Sequence, residues 1–309
     1  MPDPALDTRA VPKNGEAARA EAPRRRIKEL ETMVADIIVE TPDTTTLVLF
    51  TGNDHLEYQP GHFLTIDPHQ FEALERWVAY FEDVKGKREV PRAYSLASAP
   101  HERYLAITVK EERYASGATK YPPLLSPMLV KRTQRGSRIV VTGFTGPYTL
   151  PAGVEDKTDH VVHLVAGSGV VPNWSILKHA LVAHPRLRHT LVCSNKTWDD
   201  IIYRDALARL EAEHPDRLRV VHTLTREAEP EKYGPNVRRG RISAEILRDL
   251  VPDPKAALVY ACGPAIGPAD KLAAKERGEA PRPRFLEAAL EGILAVGVPK
   301  ERVKHESYG

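Results

Sequence analysis

The sequence predicts an N-terminal antiparallel β-barrel followed by a parallel-sheet α/β nucleotide-binding domain. Three observations carry that expectation. Up to about residue 150 the chain consists of short β-rich runs separated by turn residues, the spacing of an antiparallel barrel or sandwich. Beyond about residue 159, continuous apolar strands alternate with amphipathic helices, as in a parallel sheet covered on both faces. Finally, 309 residues exceed what one hydrophobic core usually covers, so two domains are expected.

In the first half the strand runs are MVADIIVE, TTTLVLF, HFLTID, RAYSLA, YLAITV and SRIVVT. One stretch departs from this alternation. Gln70 to Val84 has helical periodicity, with Phe71, Leu74, Val78 and Phe81 on one stripe, and predicts a helical insertion over 70–84. In the second half HVVHLVAG, HTLVCSN, RLRVVHTLT and ALVYACG read as strands. The helices are NWSILKHALVAH, DIIYRDALARLEAEH, SAEILRDL and PRFLEAALEGILAVG. Leu150 to Lys157, containing Pro and Gly, is the expected hinge. The divisions are a disordered tail over 1–26, a barrel over 27–154 and an α/β domain over 155–309.

Composition narrows the function. Charged residues make up 28% and the formal net charge is +2. No apolar run approaches the roughly 18 residues that a membrane helix needs, so no membrane span is expected. The first 26 residues lack the apolar stretch of a secretory signal, and a cytoplasmic location is expected. Arg24, Arg25 and Arg26 in that tail are a possible docking patch for an acidic partner, with a merely solvated run as the alternative. The two cysteines, Cys193 and Cys262, are too few for a disulfide framework or an iron-sulfur cluster, which takes about four protein ligands. None of the 12 histidines stands in a metal-ligand spacing, so no metal site is expected. Aromatics at 6% are not interleaved with basic patches, which argues against nucleic-acid binding.

Several segments carry chemistry. In Pro91-Arg92-Ala93-Tyr94-Ser95-Leu96-Ala97-Ser98, strand alternation places Arg92 and Tyr94 on one face. A guanidinium pairs bidentately with a pyrophosphate, a tyrosine ring covers a planar heterocycle, and a serine hydroxyl bonds a ring nitrogen. A half-buried strand in which Tyr94 packs and Arg92 snorkels is the competing reading. Gly167-Ser168-Gly169-Val170-Val171-Pro172 stands between a strand and a helix, where backbone N–H groups can approach a phosphate and the proline is expected to begin the helix. A plain tight turn is the alternative. Cys262-Gly263-Pro264 ends a parallel strand, where open α/β sheets bind ligands; otherwise Cys262 is an inert buried cysteine. Thr225-Arg226-Glu227, with Arg238, Arg239 and Arg241 following, offers guanidinium groups suited to phosphate, or a loop of solvated arginines. Ser194-Asn195-Lys196 closes the preceding strand.

In this order, these segments resemble the ferredoxin-NADP reductase family, including bacterial ferredoxin or flavodoxin reductases and oxygenase reductase components. The resemblance covers roughly residues 27 to 309. Pro60-Gly61-His62-Phe63, Ser126-Pro127-Met128-Leu129 and the terminal His305-Glu306-Ser307-Tyr308-Gly309 add to it. It implies bound FAD and NADPH, with NADH as the alternative. Arg92 is then expected on the flavin pyrophosphate, Tyr94 against the flavin and Ser95 near N5. Val109 and Lys110 would border the flavin and ribityl chain, and Ser126 would hold the pyrophosphate at a helix start. Gly167, Ser168, Gly169 and Pro172 match the nicotinamide-nucleotide turn, and Thr225 and Arg226 the 2′-phosphate site. Cys262, Gly263 and Pro264 would lie beside the nicotinamide. Ser95, Cys262, Glu306 and Tyr308 form the expected hydride site, with Tyr308 covering the flavin face.

The chain departs from the family in three places. Tyr121-Pro122-Pro123-Leu124 intervenes before Ser126 while Gly117 is distant, Ala265-Ile266 stands where a methionine is common, and Gly309 follows the aromatic. The implied activity is electron transfer from NAD(P)H through FAD to a separate ferredoxin, flavodoxin or oxygenase component. Such an acceptor is expected to dock near Lys131, Arg132, Arg135 and Arg138. The alternatives are an NAD(P)H:flavin or ferric reductase and a non-catalytic flavin-binding regulatory module.

Overall fold

A computed structural model describes residues 29–52, 56–114 and 121–308. The expected tail, with Arg24 to Arg26, lies outside the described residues, as do Gly117 and Gly309.

The first unit is a six-stranded antiparallel barrel. Its strands are β1 (Leu30–Thr41), β2 (Thr44–Phe50), β3 (Phe63–Ile66), β4 (Arg92–Ser95), β5 (Leu105–Lys110) and β6 (Arg138–Thr145). They lie in the order β4-β3-β6-β1-β2-β5, and Leu96, just past β4, bridges to Ile107 of β5 to close the ring. Closure removes the open edges that would otherwise invite pairing with other chains. The β1–β2 hairpin is held by the Asp43 carboxylate, which accepts hydrogen bonds from the Thr41 and Thr44 hydroxyls at 3.0 Å each. Inward alternation buries Val34, Leu47, Leu49, Leu64, Ile66, Leu96, Ile107, Ile139 and Val141 in one core.

The helical excursion is present but begins as two 3-10 turns, Pro68–Gln70 and Glu72–Leu74, before helix α1 (Glu75–Lys85). Phe71, Leu74, Val78 and Phe81 are all buried, and the first three join the barrel core. Gln70 ties the excursion to β6 by donating to the Val140 carbonyl at 2.9 Å and accepting from its amide at 2.7 Å. Gly86, with φ of 63°, ends α1 in a left-handed cap. Helix α2 (Leu125–Lys131) completes the unit.

The second unit is a six-stranded parallel sheet. Its strands β7 (His160–Ala166), β8 (Arg188–Asn195), β9 (Leu218–Leu224), β10 (Val237–Arg239), β11 (Leu258–Gly263) and β12 (Val303–Ser307) lie in the order β10-β9-β8-β7-β11-β12. Helices α3 (Val170–Ala183), α4 (Arg204–Glu213), α5 (Ala244–Arg248), α6 (Pro268–Glu276) and α7 (Phe285–Val296) connect them. Every residue of β7 is buried, because α3 and α4 cover one face of the sheet while α5 and α7 cover the other. The fold class predicted from the sequence is the one observed.

Three features differ from the sequence pattern. The Arg238-Arg239 stretch forms edge strand β10 and the C-terminal segment forms edge strand β12. Neither has the apolar run of a central strand, since each gains its pairing from one neighbour only. Helix α3 begins at Val170, so Pro172 is its third residue rather than its first; a missing N–H is tolerated throughout that first turn. Helix α6 is an additional element between β11 and α7.

Direct bonds join the two units. The Tyr203 hydroxyl meets that of Thr108 on β5, while its backbone, left-handed at φ 60°, donates from its amide to Glu40 at 3.3 Å. The Ser175 hydroxyl of α3 donates to the Ser98 carbonyl at 2.6 Å in a buried position. Ser175→Ala is expected to destabilise the chain by about 1–2 kcal/mol, because that carbonyl would lose its partner. An unchanged urea midpoint would count against the bond as an inter-domain tie.

Candidate functional site

The site grows from the ends of three strands: β4 of the barrel, and β11 and β12 of the parallel sheet. Ser95, the last residue of β4, is buried, and its hydroxyl is hydrogen-bonded to that of Tyr308. Tyr308 is held from behind, where its amide donates to the Gly263 carbonyl at 2.9 Å. It packs against the core cluster that contains Tyr148 and Cys262, and burial pushes its hydroxyl pKa well up. The parallel register sets Glu306 beside Cys262 and Ser307 beside Gly263. Residues more than 200 positions apart in sequence thus meet at one point between the domains.

Ser95 and Cys262 are buried at this point, and Glu306 and Tyr308 are half-buried. Burial, and then the neighbouring Glu306, raise the Cys262 thiol well above its ordinary value, so it is a neutral thiol. Burial also raises the Glu306 carboxyl, whose Oε2 is buried and has no hydrogen-bond partner among the described residues. A buried acceptor left without a donor marks a position where a ligand group can bind.

Two glycines allow the strand ends to approach so closely. A Cβ on Gly169 would lie 2.2 Å from the Cys262 carbonyl oxygen, so the Gly167–Gly169 turn can abut β11 only as glycine. A Cβ on Gly263 would lie 2.6 Å from the Phe285 ring. The Gly-Ser-Gly segment is a 3-10 turn leading directly into α3, with Gly167 left-handed at φ 53°.

Behind the site runs a buried polar chain that sequence reasoning missed. The Tyr148 hydroxyl accepts from Asn173 Nδ2 at 3.0 Å, and Asn173 Oδ1 meets His163 Nδ1 at 2.8 Å. His163 Nε2 lies 3.2 Å from His189 Nδ1. Burial lowers the His163 pKa to about 4, so the imidazole is neutral. The only signal in the sequence was polar residues within apolar runs, His163 in β7 and Asn173 at the start of α3.

Beside the junction opens a cleft of about 720 Å³ across the carboxyl ends of the parallel strands. It lies where the strand order reverses around β7, the position at which such sheets bind ligands. Gly167, Ser168, Thr225, Arg226, Pro264 and Lys110 line it, together with Ser194, Asn195 and Lys196. Arg241, Asp270, Arg282, Arg284 and Phe285 line it as well; of these only Arg241 stood in a segment singled out by sequence. Glu227 of the Thr-Arg-Glu segment has a local role, accepting from the Trp198 amide at 3.1 Å. Gly169 and Pro172 are buried beneath the turn, where they shape it.

On the barrel side the arrangement is less open. Arg92 makes an ion pair with Glu89 at 2.5 Å and also contacts the Val90 carbonyl. Tyr94 packs against the barrel core, and burial raises its pKa. Val109 is buried, and Lys110 pairs with Asp43 at 3.3 Å. Ser126 is the second residue of α2, and its buried hydroxyl accepts from the Glu112 amide at 3.1 Å. Three of the four expected docking cations are paired: Lys131 with Glu111, Arg135 with Asp36 and Arg138 with Glu31. Carboxylates thus stand beside three of the four cations on that surface. Among the described residues no His, Cys, Asp or Glu cluster could hold a metal ion, and no helix is long and apolar enough to cross a membrane.

The oxidoreductase NAD-binding domain family matches residues 164–266. The chain is 32% identical over 294 residues to the ferredoxin reductase component of 3-ketosteroid-9-alpha-monooxygenase from Mycobacterium tuberculosis, covering 90% of this chain and 65% of that protein. The protein of the same description from Mycolicibacterium smegmatis is 30% identical over 286 residues, with 90% and 65% covered. The chain thus spans 65% of the length of these relatives. Among solved structures, the flavohem-like FAD/NAD binding domain of nitric oxide dioxygenase from Vibrio cholerae superposes with a TM-score of 0.67 at 22% identity, covering 92% of this chain and all of that one. Ferredoxin-NADP+ reductase from Plasmodium falciparum with 2′P-AMP gives 0.64 at 17% identity, with 92% and 98% covered. These two likenesses concern the fold. The sequence likeness to the reductase components and the match of residues 164–266 to the oxidoreductase NAD-binding domain family are what this chain shares with known proteins beyond the fold.

Proposed function

We propose that the chain is a flavin-dependent NAD(P)H oxidoreductase that passes electrons to a separate acceptor protein. The observation that carries this reading is the junction itself. The Ser95 hydroxyl, the Tyr308 ring, the Cys262 thiol and the unpartnered Glu306 carboxyl converge between a barrel and a dinucleotide-type cleft. A binding module without turnover has no need of such a four-residue meeting point between two proposed ligand sites.

The residues present fit FAD. Ser95 offers a hydroxyl beside the junction, Tyr94 a ring at the barrel wall, and Arg92 a partly exposed guanidinium that can exchange Glu89 for a phosphate. When bound, the flavin supplies two-electron acceptance and one-electron release, which no side chain here can provide. The chain's own contribution is positioning. Hydride donor and acceptor must come within roughly 3–3.5 Å, and a displacement of about 1 Å costs on the order of a hundredfold. Tyr308 occupies the junction and must swing away from Ser95 before a nicotinamide ring can enter. Cys262 and Glu306 then wall the vacated space, excluding water, and Glu306 Oε2 is free to accept a hydrogen bond from the incoming ring's amide.

NADPH is the proposed donor, on the strength of Thr225 and Arg226 at the cleft wall. The acceptor is proposed to be a ferredoxin, flavodoxin or oxygenase component. The test is anaerobic reduction of FAD-loaded protein, with the flavin absorbance followed during addition of NADPH or NADH. Bleaching by NADPH at lower concentration than NADH is expected. Failure to take up FAD would remove the proposal, and bleaching by NADH alone would remove the 2′-phosphate assignment.

A further inference from the structure

We propose that Arg282 and Arg284, carried on the connection between β11 and α7, bind the linking diphosphate of the dinucleotide; this rests on the cleft being a dinucleotide site. Residues 264–284 leave β11 at Pro264, form α6 and return to Phe285, whose ring sits against Gly263. The return passes along the cleft as Pro281-Arg282-Pro283-Arg284, and two prolines with fixed φ restrict its backbone. The segment therefore forms a stiff strap rather than a slack loop.

Its anchors say which part of the ligand it faces. Arg241, just after β10, donates to the Pro283 carbonyl at 3.4 Å. The next residue, Arg284, reaches the Ala265 carbonyl at 3.5 Å, just after β11. Pro283 and Arg284 are thus fixed between the strand end on the side proposed for the adenosine 2′-phosphate and the one proposed to lie beside the nicotinamide. The diphosphate is the portion of a dinucleotide that lies between these ends.

Charge points the same way. Both arginines line the cleft with Lys110, Lys196, Arg226 and Arg241, against only two carboxylates, Asp200 and Asp270. Asp200 is engaged by the Thr197 amide at 3.1 Å and hydroxyl at 2.8 Å. Asp270 accepts from the Gly267 amide at 2.9 Å and from Arg284 at 3.2 Å. Arg282 is exposed and has no ion-pair or hydrogen-bond partner among the described residues. A concave wall with this excess of cations attracts a multiply charged anion. Arg284 is parked on Asp270 and can exchange that carboxylate for a phosphate, as planar guanidinium groups pair with either.

The test uses full-length, FAD-loaded protein and calorimetric titration with two probes, ADP-ribose and 2′-AMP. The first carries the diphosphate without a 2′-phosphate, and the second the reverse. R282A and R284A are each expected to weaken ADP-ribose about tenfold and leave 2′-AMP unchanged, the size of a lost charge-assisted contact. R226A should do the opposite, and R282K should recover part of the loss. Unchanged ADP-ribose affinity in both variants overturns the assignment, and so does an equal loss for both probes, which would mean that the strap only supports the fold. A wild-type chain that binds ADP-ribose but whose flavin is not reduced by either nucleotide would remove the electron-transfer reading and leave this assignment standing.

Discussion

Gly61→Ala is expected to lower the melting midpoint by roughly 6–12 °C, corresponding to about 3 kcal/mol for a chain of this size class. Two independent causes add. The backbone there is left-handed at φ 93°, and an added Cβ would lie 1.9 Å from the Tyr148 carbonyl oxygen and 3.1 Å from Ile176 Cδ1. Neither neighbour can withdraw. Tyr148 and Ile176 are buried side chains of one core cluster, and Ile176 belongs to α3 of the second unit. The strain therefore falls on the junction that aligns barrel and sheet. Scanning calorimetry reads it directly, and a shift below about 2 °C would show that the turn relaxes around the methyl group.

Glu306→Gln is expected to slow hydride transfer by ~10–100-fold while making the protein more stable above neutral pH. The loss of rate follows from the position of the carboxyl beside Cys262, where the nicotinamide is proposed to enter. The stability gain follows from linkage. Burial raises the Glu306 pKa above its ordinary 4.5, so the folded chain holds this proton more tightly than the unfolded one. Stability therefore falls as pH rises from the ordinary value through the raised one, and stays at the lower level above it. Glutamine keeps the shape and carries no charge, so its advantage is present at pH 8 and disappears as pH drops toward 4.5. Thermal melts across pH, paired with stopped-flow flavin reduction, separate the two effects. A variant less stable than wild type at pH 8 would contradict the buried-charge account.

Much of the candidate site was legible from residue order. The segments around Arg92, Gly167, Thr225, Cys262 and Tyr308 each carry a local constraint visible in one dimension: a strand alternation, a glycine turn at a strand end, or an aromatic at a terminus. Ser95 and Tyr308 were assigned to one site and are in contact. Other features depended on partners distant in sequence and could not be read this way. Arg92 looked free for a phosphate, but whether Glu89 reaches it depends on how the chain turns between α1 and β4. The cations after Ser126 looked like a patch, but β1 brings Glu31 and Asp36 to Arg138 and Arg135. The helical excursion was legible as a helix, but that its buried stripe and the two bonds from Gln70 make it part of the barrel core was not.

Periodicity alone determined that this chain has a barrel followed by a parallel sheet, because the choice of strand or helix is set by which neighbouring side chains share a face. Glycine placement determined where the tight turn between β7 and α3 falls, because its left-handed backbone at Gly167 and close approach at Gly169 exclude most other residues. Only the tertiary structure decided which charges are neutralised, that β12 sets Glu306 against Cys262, and that the strap brings Arg282 and Arg284 to the cleft. Pairing energies depend on distance and burial, and neither is defined until the chain has closed on itself.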